Sequence, residues 1–131
     1  MKFQEIIGAV ETFHDAFGIE NNDSPTVELS KDQLELRHRL MQEENDEYLE
    51  AAKNGDLVEV ADALGDQLYI LCGTILRHGL QHKIEEVFQE IQRSNMSKLD
   101  ADGKPIYRED GKVMKSELYF KPNIKAILSD K

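Results

Sequence analysis

The sequence predicts an all-α chain, and three observations carry that reading. Apolar residues recur at helical spacing in the first and fourth of four stretches and surround the third, residues suited to helix caps sit at the junctions, and a short Asn-Gly-Asp link joins the two longest. With 131 residues, 40% of them hydrophobic and three prolines, the chain suits a single domain with its own core. We take it as one domain over residues 1–131, with a helical core over about 1–93 and a basic tail over about 94–131.

The first helix is expected in KFQEIIGAVETFHDAF, where Phe3, Ile6, Ile7, Val10, Phe13 and Phe17 mark one face and Gly18 ends the period. The following IENNDSPTVEL is polar and turn-prone. Ser30 and Gln33 then have the form of a capping box, placing a second helix from about Lys31 to Asn54. Gly55 supplies its stop and Asp56 an N-cap for the next, so NGD reads as the turn of an antiparallel αα-hairpin.

The third helix runs from Leu57 to about His78 and stops at Gly79. Leu57, Val60, Leu64, Leu68, Leu71 and Ile75 are among apolar residues on every side of it, so it is expected to be enclosed, in part by a second subunit. Cys72 lies within it as core filler, and a lone thiol fits a reducing compartment. A fourth helix, QHKIEEVFQEIQRS, repeats Ile84, Val87, Phe88 and Ile91. In DADGKPIYREDGKVMKS the second Asp-Gly pair lies between PIYRE and KVMKS, which suggests a small β-hairpin on a type I′ turn. The rest of the tail has no clear period.

The net charge of −10 argues against a nucleic-acid partner, but it is unevenly spread. Residues 1–92 carry 7 Lys and Arg against 20 Asp and Glu, a balance of −13; residues 93–131 carry 9 against 6, a balance of +3. No apolar run is long enough to cross a bilayer, and the acidic N-terminus is unlike a signal peptide, so a cytoplasmic protein is expected.

Within the third helix Glu59, Asp62 and Asp66 fall at i, i+3 and i+7, a single line. On the second helix Glu43, Glu44, Glu47 and Glu50 also share a face. Folding at Gly55 apposes the two faces, because Glu47 and Glu59 are similarly far from the turn. Buried carboxylates so placed repel one another and cost several kcal/mol each unless a cation lies between them, about the scale of a domain's whole stability. Carboxylate oxygens without His or Cys select hard ions, Mg²⁺ first and Mn²⁺ or Ca²⁺ next. Simpler roles compete residue by residue: Glu59 as the closing Glu of a capping box, and Glu43, Glu44 and Glu50 as a solvated face.

EENDEYLEA followed by EVADALGD resembles the EExxE…ExxD signature of the MazG-like all-α nucleoside triphosphate pyrophosphohydrolase superfamily. SNMSK, with Asn95 and Lys98, is similar to the segment with which such proteins hold nucleotide and phosphate. The resemblance implies a four-helix-type bundle forming a homodimer or dimer of dimers, and hydrolysis of a nucleoside triphosphate to monophosphate and pyrophosphate with Mg²⁺, for which Mn²⁺ can substitute. It implies Glu44, Glu47, Glu59 and Asp62 as metal ligands and Glu43 as an outer ligand or the base, with Glu50 as the rival base; Asp66 extends the stripe beyond the motif, where it can position a ligand or a cation. Lys112 joins Asn95 and Lys98 as a candidate for the phosphates, with Lys104, Arg108 and Lys115 as further basic residues of the tail.

A ferritin-like di-iron site needs two Glu-x-x-His pairs, and neither Glu11 with His14 nor any other such pair lies within the acid stripe. A Walker loop is absent, and the Asp-Gly segment lacks the ligand set of a calcium loop. From another class, the alternative is a helical dimer that binds metal, nucleotide or a protein without hydrolysis.

Overall fold

A computed structural model describes residues 1–129; Asp130 and Lys131, the end of the basic tail, lie outside the described residues. The chain is a helical bundle with a small C-terminal hairpin: α1 Phe3–Ala16, α2 Lys31–Lys53, α3 Leu57–Arg77, α4 Ile84–Met96, β1 Ile106–Tyr107, β2 Val113–Met114 and α5 Ile124–Ser129. It divides into two compact units, Met1–Gln81 and a second that begins at His82.

In the first unit α2 and α3 form the antiparallel hairpin, and α1 packs on α3. The caps expected from the sequence set the boundaries. Ser30 accepts the Gln33 N–H at 3.2 Å, and Asp56 accepts the Glu59 N–H at 3.1 Å. Between them Gly55 takes φ +67°, a left-handed turn that lets α2 stop and α3 start within three residues. The core is Ile7 and Val10 of α1, Ala51 of α2 and Ala63, Cys72, Ile75 and Leu76 of α3. Phe13 adds an edge-to-face contact with Tyr69, centroids 5.6 Å apart.

Residues 17–30, between α1 and α2, form no helix or strand, yet they are tied down. This strap satisfies the open carbonyls at the end of α3: Asn22 N–H donates to Leu76 O, Asn22 Nδ2 to Arg77 O, and Thr26 N–H to His78 O.

Enclosure of α3 holds only for part of its length. From Cys72 onward it is mostly buried, but in the single chain Leu57 is 78% exposed and Leu64 49%, with Leu68 and Leu71 also open. An apolar stripe looks the same in sequence whether its own chain or another covers it. Glu59 and Asp62 are exposed rather than buried, while Glu44 and Asp66 are half-buried.

In the second unit α4 packs with α5, a helix of six residues that no periodicity announced. The hairpin is present, pairing Ile106 with Met114 and Tyr107 with Val113, but the type I′ turn is not. Arg108 N–H donates to Lys112 O, leaving three residues in the connection, and only Gly111 takes positive φ, whereas type I′ needs it at both central positions.

Candidate active site

The αα-hairpin brings the acids of the two helices together near the Gly55 turn. Glu47, Glu50, Glu59 and Asp62 line one cleft of ≈ 230 Å³ with Ala51, Asn54 and Asp56. Glu44 lies deeper, one helical turn before Glu47. Its Oε2 is buried and has no hydrogen-bond partner. Burial first, then a hydrogen bond shared with Glu47 and the charges of Glu47, Asp66 and Asp62, raise the Glu44 carboxyl to about 7. Asp66 is pushed upward too, by burial and then by Asp62 and Glu47. Glu44, Glu47, Asp62 and Asp66 are thus one electrostatic cluster, and Asp66, which lies beyond the motif, is a full member.

Other residues fall elsewhere. Glu43 is exposed and outside the cleft lining, whereas Glu50 is part of it. Asn95, near the end of α4, Lys98 just beyond it, and Lys112 in the hairpin connection all belong to the second unit. Lys112 uses its N–H on Asp110 and its carbonyl on Arg108.

Among the described residues, no three His, Cys, Asp or Glu side chains converge closely enough to form a metal site as they stand. The donor set nevertheless fits a hard cation. All the groups are carboxylates, half-buried Glu44 carries an orphaned acceptor oxygen, and burial together with its acidic neighbours raises its pKa, so its charged form lacks a partner.

These shifts give a pH prediction. A carboxyl whose folded pKa lies above its unfolded value binds its proton more tightly in the native state, so its contribution to stability is present at low pH and is lost as pH rises. For Glu44 the window runs from its ordinary 4.5 to about 7, and Asp66 acts in the same direction. In chelator, the Tm should fall as pH climbs through that window, and Glu44→Gln should flatten the slope; an unchanged slope in the variant rules Glu44 out as its source.

The hairpin also assembles a group that sequence reasoning missed. Arg37 of α2, Arg77 of α3 and His14 of α1 are buried at 7%, 4% and 3% exposure. Arg37 Nε donates to Thr74 Oγ1 at 3.1 Å and Nη2 to Ile70 O at 3.0 Å; Arg77 Nη1 donates to Glu20 O. One signal was available: Arg37 precedes Glu44 by seven residues and therefore shares its face of α2.

Residues 10–95 match the family model described as phosphoribosyl-ATP pyrophosphohydrolase. No curated protein matches the chain. No helix among the described residues is long and apolar enough to cross a membrane. The family match spans the whole acidic hairpin and well over half the chain, and it agrees with the superfamily that the motif resembles. The chain therefore belongs to the phosphoribosyl-ATP pyrophosphohydrolase family, within the MazG-like all-α nucleotide pyrophosphohydrolases.

Proposed function

We propose that this protein is a Mg²⁺-dependent, cytoplasmic nucleotide pyrophosphohydrolase whose substrate is phosphoribosyl-ATP, the compound in its family's description. The observation that carries the reading is the carboxylate cluster of Glu44, Glu47, Asp62 and Asp66, which has no protein cation to balance it among the described residues. Glu44, Glu47, Glu59 and Asp62 are the residues that would hold Mg²⁺, with Asp66 supporting Glu44; Mn²⁺ suits the same oxygens. When bound, the metal supplies charge neutralisation for the phosphates and acidifies water.

The protein's own step is proton removal. Of the two candidate bases, Glu50 is favoured over Glu43 because it lines the cleft with Glu47 and Asp62. Its carboxylate takes a proton from the attacking water; the bond from that oxygen to the α-phosphorus forms, and the bond from the α-phosphorus to the bridging oxygen breaks. A monophosphate and pyrophosphate leave. Asn95, Lys98 and Lys112 are proposed to meet the phosphates.

The working unit is proposed to be a homodimer, or a dimer of dimers, formed through the open stripe of α3. Leu57, Leu64, Leu68 and Leu71 recur at spacings suited to a helix seam and are exposed in the single chain. Leu68→Glu should shift sedimentation towards monomer; an unchanged sedimentation coefficient moves the interface elsewhere.

A screen of canonical and modified nucleoside triphosphates and phosphoribosyl-ATP with Mg²⁺ tests the function, scoring pyrophosphate separately from single phosphate. Pyrophosphate release with phosphoribosyl-ATP preferred is the expected result. Release of single phosphate refutes the reaction class. No release with Mg²⁺ or Mn²⁺ leaves a non-catalytic helical protein.

A further inference from the structure

Acids face acids across the helical hairpin, so α2 and α3 need something at that level to hold them together when no cation is bound. The turn at Gly55 ties one end. Arg37 ties the other, donating to Thr74 Oγ1 and Ile70 O. Between those ends no ion pair joins the two helices among the described residues, and beside the acids the fully buried side chains are the small Ala51 and Ala63. One side-chain hydrogen bond does cross there: Gln67 Nε2 donates to Asn45 Oδ1 at 3.1 Å.

Its place is specific. Asn45 directly follows Glu44, and Gln67 directly follows Asp66. Five residues towards the turn from Asn45 stands Glu50, and five towards it from Gln67 stands Asp62. In an antiparallel pair the amide bridge and those two acids therefore share one register, about 7.5 Å apart along the helices. Glu50 and Asp62 line one cleft, as that register requires. A slide of α2 by one residue, about 1.5 Å, exceeds the roughly 0.5 Å within which a working site must be held.

The pair supplies no ligand itself. With His38, Met41 and Gln42 it lines a different cleft, which shares no residue with the acidic one. Asn45 is exposed and Gln67 half-buried, so both can be replaced without opening the core. Being neutral, the two amides join the helices without adding a charge that would stand in for the metal.

We propose that the hydrogen bond between Asn45 and Gln67 is a register pin, which positions α2 on α3 so that the acids of the two helices meet in one cleft before a cation binds. Both are positioning residues, and their role rests on the metal reading above. Without the pin the acidic stretch of the hairpin parts, and a cation must first bring it back, which lowers the apparent affinity by the fraction of molecules still closed.

The test titrates Mn²⁺ alone, without nucleotide, into wild type, Asn45→Ala, Gln67→Ala, the double alanine variant and the exchanged pair Asn45→Gln with Gln67→Asn, using calorimetry, with the metal-free Tm of each. Either single variant should bind Mn²⁺ about fivefold more weakly. The double variant should be no weaker than the singles, because the same bond is lost in each. The exchanged pair keeps an amide bridge of the same total length and should recover most of the affinity. In turnover, the Mg²⁺ concentration giving half the maximal rate should rise by the same factor as the Mn²⁺ Kd. A lower metal-free Tm with unchanged Mn²⁺ affinity makes the bond merely structural and overturns the proposal, as do additive losses in the double variant. If wild type binds no Mn²⁺, the metal reading fails and the pin with it. If wild type binds Mn²⁺ but hydrolyses no nucleotide, the proposed reaction has failed, and the Mn²⁺ titrations alone decide the pin.

Discussion

Glu47→Gln and Asp62→Asn should each lower kcat by about 10²-fold or more, because each removes a charged oxygen from the set that would hold the metal, and metal stabilisation of a phosphoryl transition state is worth several kcal/mol. The two substitutions keep side-chain volume, and neither residue is in the core. Both carboxylates add to the repulsion that raises Glu44. Neutralising either should therefore leave the metal-free Tm unchanged or higher, while the Tm gained on adding Mg²⁺ shrinks. Glu47→Gln is the sharper case, since its amide can still hydrogen-bond to Glu44. The combination of lost turnover with intact or improved metal-free stability separates a metal-binding role from a structural one. Retained activity in both variants would refute this site.

The helix boundaries were legible because capping is local chemistry: Ser30, Gly55, Asp56 and Gly79 each act within a turn of where they stand. The acid stripe was legible for the same reason, since i, i+3 and i+7 fix a face before any tertiary contact forms. What the periodicity left out depends on longer range. Arg37 and Arg77 are 40 positions apart and are buried only in the folded chain, so neither announces its burial alone. Along α3 the exposed Leu57, Leu64, Leu68 and Leu71 are as apolar in sequence as the buried Ile75 and Leu76. The Asp-Gly pair is compatible with two hairpin connections, and pairing of Tyr107 with Val113 selects the longer. In α5 six residues are too few to show a period, and its cap, the Asn123 side chain accepting the Ala126 N–H, follows a proline in a segment otherwise without pattern. Recruitment of Asp66 into the acid cluster likewise depends on how far α2 slides along α3, which spacing within one helix does not determine.

Gly79→Ala should be among the most destabilising single substitutions in the first unit, at about 3 kcal/mol or more, because two penalties fall on one residue. Gly79 has φ +65°, a left-handed backbone in which a side chain costs roughly 1–2 kcal/mol. A Cβ there would also lie 2.1 Å from Ser24 O and 2.5 Å from Ser24 C. Those are backbone atoms of the strap and cannot swing aside as a side-chain tip would, so overpacking adds about 1–3 kcal/mol. Relief requires the strap to lift, which breaks the hydrogen bonds from Asn22 and Thr26 to Leu76 O, Arg77 O and His78 O and reopens the end of α3. Glu20 O also accepts from Arg77 in this segment, so Arg77 would lose that acceptor with it. Urea denaturation of wild type and Gly79→Ala measures the loss. Gly103→Ala, also at positive φ but with nothing within 4 Å of the added Cβ, isolates the backbone penalty. Equal losses at the two positions would mean that strap contact contributes nothing. A much larger loss at Gly79 would establish that the strap is packed against α3 and helps hold its C-terminal end in place.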